Sequence, residues 1–121
     1  MDRAIINEIA DDFGMPRESI VRDISGDSIC LVRNDSLSLC IHNCAIEGLK
    51  LEIVYGYKST YWTGSLGYAI STVNRASALM LKDAIIANDF KMHPKPNWLC
   101  KPGILEFSFA DAQKSIFLNR V

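Results

Sequence analysis

Cys40, His42 and Cys44 fall within five residues of the stretch LSLCIHNCAI, residues 37–46, and account for two of the chain's four cysteines and one of its two histidines. Side chains of these types support two kinds of chemistry. Thiolate sulfur and imidazole nitrogen bind zinc, and a thiol beside an imidazole base can act as a nucleophile. The spacing weighs against both. Leu37, Leu39 and Ile41 alternate with Ser38, Cys40 and His42, which predicts a β-strand. The two cysteines and the histidine then share one face, but Cys40 and Cys44 are roughly 13 Å apart at Cα, at about 3.3 Å per residue. Zinc requires its ligand atoms within about 2.0 to 2.3 Å. Only a bulge at Asn43 would gather all three, and paired CxxC spacings are absent. His42 lies about 6.6 Å along the strand from either cysteine, too far for a direct hydrogen bond. The expectation is a structural strand that holds no metal.

Other catalytic signatures are missing. The chain contains no GxGxxG, no P-loop and no GxSxG. Asp11 and Asp12 are adjacent carboxylates, but helical neighbours point about 100° apart and read as a solvated face. His93 precedes Pro94 in a stretch that reads as a solvated loop. No nucleophile, base and orienter come together, so the chain is expected to be no enzyme and to need no cofactor.

Bulk properties narrow the class. A chain of 121 residues is enough for one domain, residues 1–121, with a modest core. With 49% hydrophobic and 22% charged residues it should fold. A net charge of −1 argues against a general nucleic-acid binder, which would carry a basic footprint. The charge is uneven: residues 1–60 hold ten acids and six bases, residues 61–121 four acids and seven bases. The opening MDRAIINEIADDFG has acids within its apolar pattern and is no signal peptide. No apolar run approaches the roughly 18 residues of a membrane span. Reduced cysteines and a cytoplasmic location without membrane contact are therefore expected.

The elements that must position these residues follow from periodicity. A helix is predicted over 2–13, capped by Asp2 and ended by Gly14, with Ile6, Ile9, Ala10 and Phe13 on one side. Short strands follow at 19–24, 29–33, 37–43 and 49–57, with Gly26 and Asn34-Asp35 in the turns, forming an antiparallel meander. Residues 58–72 read as a loop whose Tyr61, Trp62 and Tyr68 either lie on the core, the favoured reading, or form a recognition surface. A second helix, capped by Thr72, is predicted from about Val73 to Phe90. Leu79, Met80, Leu81, Ala84, Ile85 and Ile86 make it apolar around most of its circumference, which predicts burial on more than one side and a second covering surface from a partner chain. The proline-rich stretch KMHPKPNWLCKPG reads as a loop, followed by strands 104–109 and 115–121. The fold class is α+β: an antiparallel sheet in helix-strands-helix-strands order, covered by helices on one face.

Three stretches carry a resemblance. IINEIADDFGMP is similar to the first helix of the class I chaperones of bacterial type III secretion. VRDISGDSICLVRNDSLSLCI resembles that family's first three strands. LMLKDAIIANDF with ILEFSFADAQKSIFLNRV resembles its second helix and closing hairpin. The chain departs from the family in being nearly neutral and in ending on a strand rather than a third helix. The resemblance implies a cytoplasmic homodimer that holds an extended segment of a secreted effector protein. The first helix and first strands would form the groove, with Ile6, Ile9, Phe13, Leu31, Leu37 and Leu39 in or beneath it. The second helix would supply the dimer contact through Leu79, Leu81 and Ile85. The alternative is a small inhibitory or immunity protein, phage-encoded for example, that blocks a folded target through one surface such as the Tyr61–Tyr68 loop.

Overall fold

A computed structural model of the chain describes residues 4–34, 37–46, 48–58, 63–70, 75–96, 102–110 and 114–121. Helix α1 (Ala4–Asp12) turns Ile6 and Ala10 into the core. It ends where Gly14 takes φ +65°, so that Gly14 N–H bonds to Asp11 O and Met15 N–H to Ala10 O, a Schellman stop. Helix α2 (Arg75–Ala87) stops the same way with Asn88 at φ +54°, Asn88 N–H on Ile85 O and Asp89 N–H on Ala84 O. Asparagine tolerates this left-handed conformation better than most residues. The proposed caps Asp2 and Thr72 lie outside the described residues.

The strands are β1 (Val21–Arg22), β2 (Gly26–Arg33), β3 (Leu37–Cys44), β4 (Gly48–Lys58), β5 (Thr63–Ile70), β6 (Phe90–Pro96), β7 (Pro102–Phe109) and β8 (Ser115–Arg120). They form one antiparallel sheet in the order β1-β2-β3-β4-β5-β8-β7-β6. Two meanders meet at the β5–β8 seam, where Tyr68 pairs with Arg120 and Ala69 with Asn119, and Val121 N–H bonds to Gly67 O. The molecule is α+β, as its periodicity predicts, but with three corrections. The expected strand 19–24 is a 3-10 turn (Arg17–Ser19) followed by a two-residue strand. Much of the expected loop 58–72 is β5, and its Tyr68 is fully buried against Tyr55, with ring centroids 6.0 Å apart. Part of the proline-rich loop is β6. Proline is tolerated there because β6 is an edge strand, whose outer N–H groups pair with nothing in the sheet.

One face of the sheet carries the core: Ile29, Leu31, Leu37, Leu39, Ile41, Leu51, Ile53, Tyr68, Leu105, Phe107 and Leu118. Both helices lie over it, joined by Lys82 above the Phe13 ring. The same packing corrects the reading of α2. Leu81 is 0% exposed and Ile85 2%, both covered by the chain's own sheet, and Leu79 is half-buried. Eight strands make a wider platform than the five or six expected, so the apolar side of α2 finds its cover within the chain. Ile86, at 64% exposure, is the large apolar residue that α2 leaves outside. No helix among the described residues is long and apolar enough to cross a membrane.

Candidate functional site

β3 is the strand that its sequence predicts. Its residues alternate buried and half-buried from Leu37 to Cys44, and it pairs with β4 without interruption. There is no bulge at Asn43, which faces inward beside the buried Asp27. Cys40, His42 and Cys44 therefore stand in a row on the face away from the helices. Among the described residues, no group of three or more His, Cys, Asp and Glu side chains could hold a metal ion.

The strands on either side complete this face. Glu52 on β4 is opposite Cys40, and its Oε1 lies 3.3 Å from His42 Nε2. The carboxylate and the imidazole are thus within hydrogen-bond distance. Burial, and then the neighbouring Cys30 thiol, push the Cys40 thiol up to about 12. That is the reverse of an activated nucleophile, whose thiol is lowered into or below the neutral range.

Cys30 is a residue of this face that the sequence pattern does not single out. It lies opposite Cys40 in the β2–β3 ladder. Ala45 N–H bonds to Ser25 O at one end of this hairpin and Asn34 N–H to Leu37 O at the other. Counting inward from either end places Cys30 and Cys40 at a pair that exchanges no main-chain hydrogen bonds. Such pairs have Cα atoms about 4.5 Å apart and bring their side chains closest. A bulge at Leu31 is needed for this register, since Val32 pairs with Leu39 while Cys30 pairs with Cys40. The Cys30 thiol donates to Val32 O at 3.4 Å.

The second notable feature is the outer edge of β2. β1 covers it only as far as Ser28, which pairs with Val21. Beyond Ser28, the main-chain groups of Cys30 and Arg33 alternate away from β3, and no strand among the described residues pairs with them. The opposite edge, β6, is blunted by Pro94 and by exposed Lys91 and Lys95. Near the β1 end lie Val21 (62% exposed), Ile24 (100%) and Ile46 (96%). Ile24 and Ile46 sit on neighbouring turns tied by the Ala45–Ser25 bond.

The residues expected in or beneath a groove belong to the core or pack against it. Ile6, Leu31, Leu37 and Leu39 are core residues, whereas Ile9 and Phe13 are half-buried against them. Tyr61, Trp62 and Cys100 fall outside the described residues. A recess of about 300 Å³ beside α2, lined by Met80, Asp83, Ala84, Ala87, Asp89, Phe109 and Ala110, is mostly apolar. Comparison of the chain with protein-family models, curated proteins and solved structures finds no match.

Proposed function

We propose that this chain is a non-enzymatic protein-binding module that holds an extended segment of a partner protein along the outer edge of β2. The observation that supports this reading is the edge of β2 past Ser28, where no strand among the described residues pairs with the main-chain groups of Cys30 and Arg33. An extended chain can take up such groups as an added strand. The bulge at Leu31 keeps the edge short and twisted, which limits pairing with unrelated chains. Exposed Val21, the partner of Ser28, stands at the start of the edge and offers apolar contact. The resemblance to type III secretion chaperones fits the same mode of binding and makes a secreted effector the partner class, held in the cytoplasm by a homodimer. In that dimer Leu79 and the exposed Ile86 of α2 would meet the second copy, since Leu81 and Ile85 are enclosed.

The test is a pull-down followed by fragmentation of the captured partner. A fragment of some tens of residues, unfolded when free, should bind as well as the whole partner. Binding of the intact folded partner alone would reject the reading. That outcome would favour a blocker of a folded target, for which the exposed apolar pair Ile24 and Ile46 is the better contact surface.

A further inference from the structure

The geometry points to Cys30 and Cys40 as a reversible cross-strand disulfide site, oxidised by a low-molecular-weight disulfide such as oxidised glutathione. The two residues are direct partners in the β2–β3 ladder, at a pair without mutual main-chain bonds. A Cα separation of about 4.5 Å at such pairs falls within the disulfide range of about 4.4 to 6.8 Å. Their side chains rise from the same face, which no helix among the described residues covers, and both thiols are free and partly accessible. Cys44 has no such partner, since the residue across from it is Gly26.

The chemistry proceeds in two exchanges. The Cys30 thiolate attacks one sulfur of the small disulfide, forming a mixed disulfide and releasing one small thiolate. The Cys40 thiolate then attacks the Cys30 sulfur, closing the bridge and releasing the second small thiolate. Two protein thiols are oxidised, one small disulfide is reduced to two thiols, and the two protons pass to water or to the leaving thiolates. Cys40 takes the second role by position, because it faces Cys30 directly across the ladder. Burial, the larger cause of its raised value, persists after Cys30 is capped, so closure is the slower of the two exchanges. Before the bridge closes, the Cys30 thiol must leave Val32 O, a weak sulfur bond that gives up little.

The bridge would lock the bulged register at the place where the Cys30 main chain faces the open edge. Oxidation therefore acts on the surface proposed for partner binding, although bridge formation itself does not depend on that proposal.

The test uses the full chain without a partner, in wild-type form and as Cys44→Ser/Cys100→Ser, which leaves only the pair. In a glutathione redox buffer both should lose two thiols per chain without retaining glutathione, and peptide mapping of the wild type should join Cys30 to Cys40. The native double variant should bridge at a glutathione ratio at least about tenfold more reducing than the same chain in urea, because the sheet holds the thiols together. Adding Cys40→Ser should leave a stable glutathione adduct on Cys30. The proposal is overturned if the native double variant keeps both thiols or accumulates the adduct, if wild-type mapping links other cysteines, or if urea favours the bridge.

Discussion

Arg22 Nη1 lies 3.0 Å from Oδ2 of Asp27, a carboxylate whose side chain is wholly buried, while Arg22 Nη2 reaches Asn7 Oδ1 at 2.7 Å. One guanidinium thus ties the two-residue strand β1 to both β2 and α1. Asp27 is buried in the core face, and Arg22 gives it a charged partner there.

Arg22→Ala should therefore destabilise the fold by about 1–3 kcal/mol, the cost of leaving a buried acceptor without its charged partner. The upper end reported for buried pairs does not apply, because Arg22 is itself partly exposed. Chemical denaturation measures the change. A loss indistinguishable from that of Arg17→Ala, on the exposed Asp11 pair, would mean that Arg22 is no clamp.

Two glycines with positive φ should respond very differently to alanine. Gly26 has φ +152°, and a Cβ there would strike the main-chain oxygen of Asn43 on the adjacent strand. Gly48 has φ +75° and open space around it. Gly26→Ala is expected to cost about 3 kcal/mol or more, through strain plus clash. Gly48→Ala should cost about 1–2 kcal/mol from the left-handed backbone alone. Equal midpoints in urea for the two variants would contradict the close approach of β2 to β3.

Alkaline pH should weaken the protein. Burial, and then the Cys30 thiol, push Cys40 up to about 12 from an ordinary value of 9.0. Burial, and then the Tyr68 hydroxyl beside it, push Tyr55 up to about 12 from 10.0. Both groups are neutral when protonated. Above about pH 9 the unfolded chain releases these protons first and binds fewer than the folded chain, so stability falls as pH rises toward 12. Below about pH 9 their contribution is fully present. Melting temperature measured in steps from about pH 8.5 to about pH 11 should decline, and more gently in Cys40→Ala/Tyr55→Phe. A slope unchanged in that variant would assign the decline to other groups.

Arg33→Pro separates edge binding from folding. Arg33 does not exchange main-chain bonds with β3, so the sheet keeps its pairing when that N–H is lost. A partner bound as an added strand should lose about tenfold in affinity, one main-chain bond in an otherwise intact site. Unchanged affinity with an intact circular dichroism spectrum would move the binding surface elsewhere.

Assembly is tested by light scattering at micromolar concentration. The proposed homodimer should show twice the mass of one 121-residue chain, and Ile86→Asp should halve it. A single-chain mass for the wild type would remove the dimer from the proposal.

Much of this molecule is legible from local pattern. The alternation in LSLCIHNC sets β3 and its buried face without further information, because the side-chain period of a strand is two. Gly14 marks the end of α1, since it supplies the left-handed residue that a Schellman stop needs, whereas α2 stops at Asn88, short of the predicted Phe90. Tertiary pairing decided the rest. β5 and β6 are strands because neighbours accept them: glycine and proline lower local strand preference, but β4 and β7 supply the missing register. The wider sheet that results encloses Leu81 and Ile85, which the helix pattern alone assigns to a partner. The cysteine pair follows the same logic. The Asn34–Leu37 closure, extended without interruption, would set Cys30 opposite Ile41; the bulge at Leu31 shifts the ladder by one residue and sets it opposite Cys40. A one-residue slip is invisible in composition and periodicity, and here it turns a cysteine facing an isoleucine into two thiols facing each other.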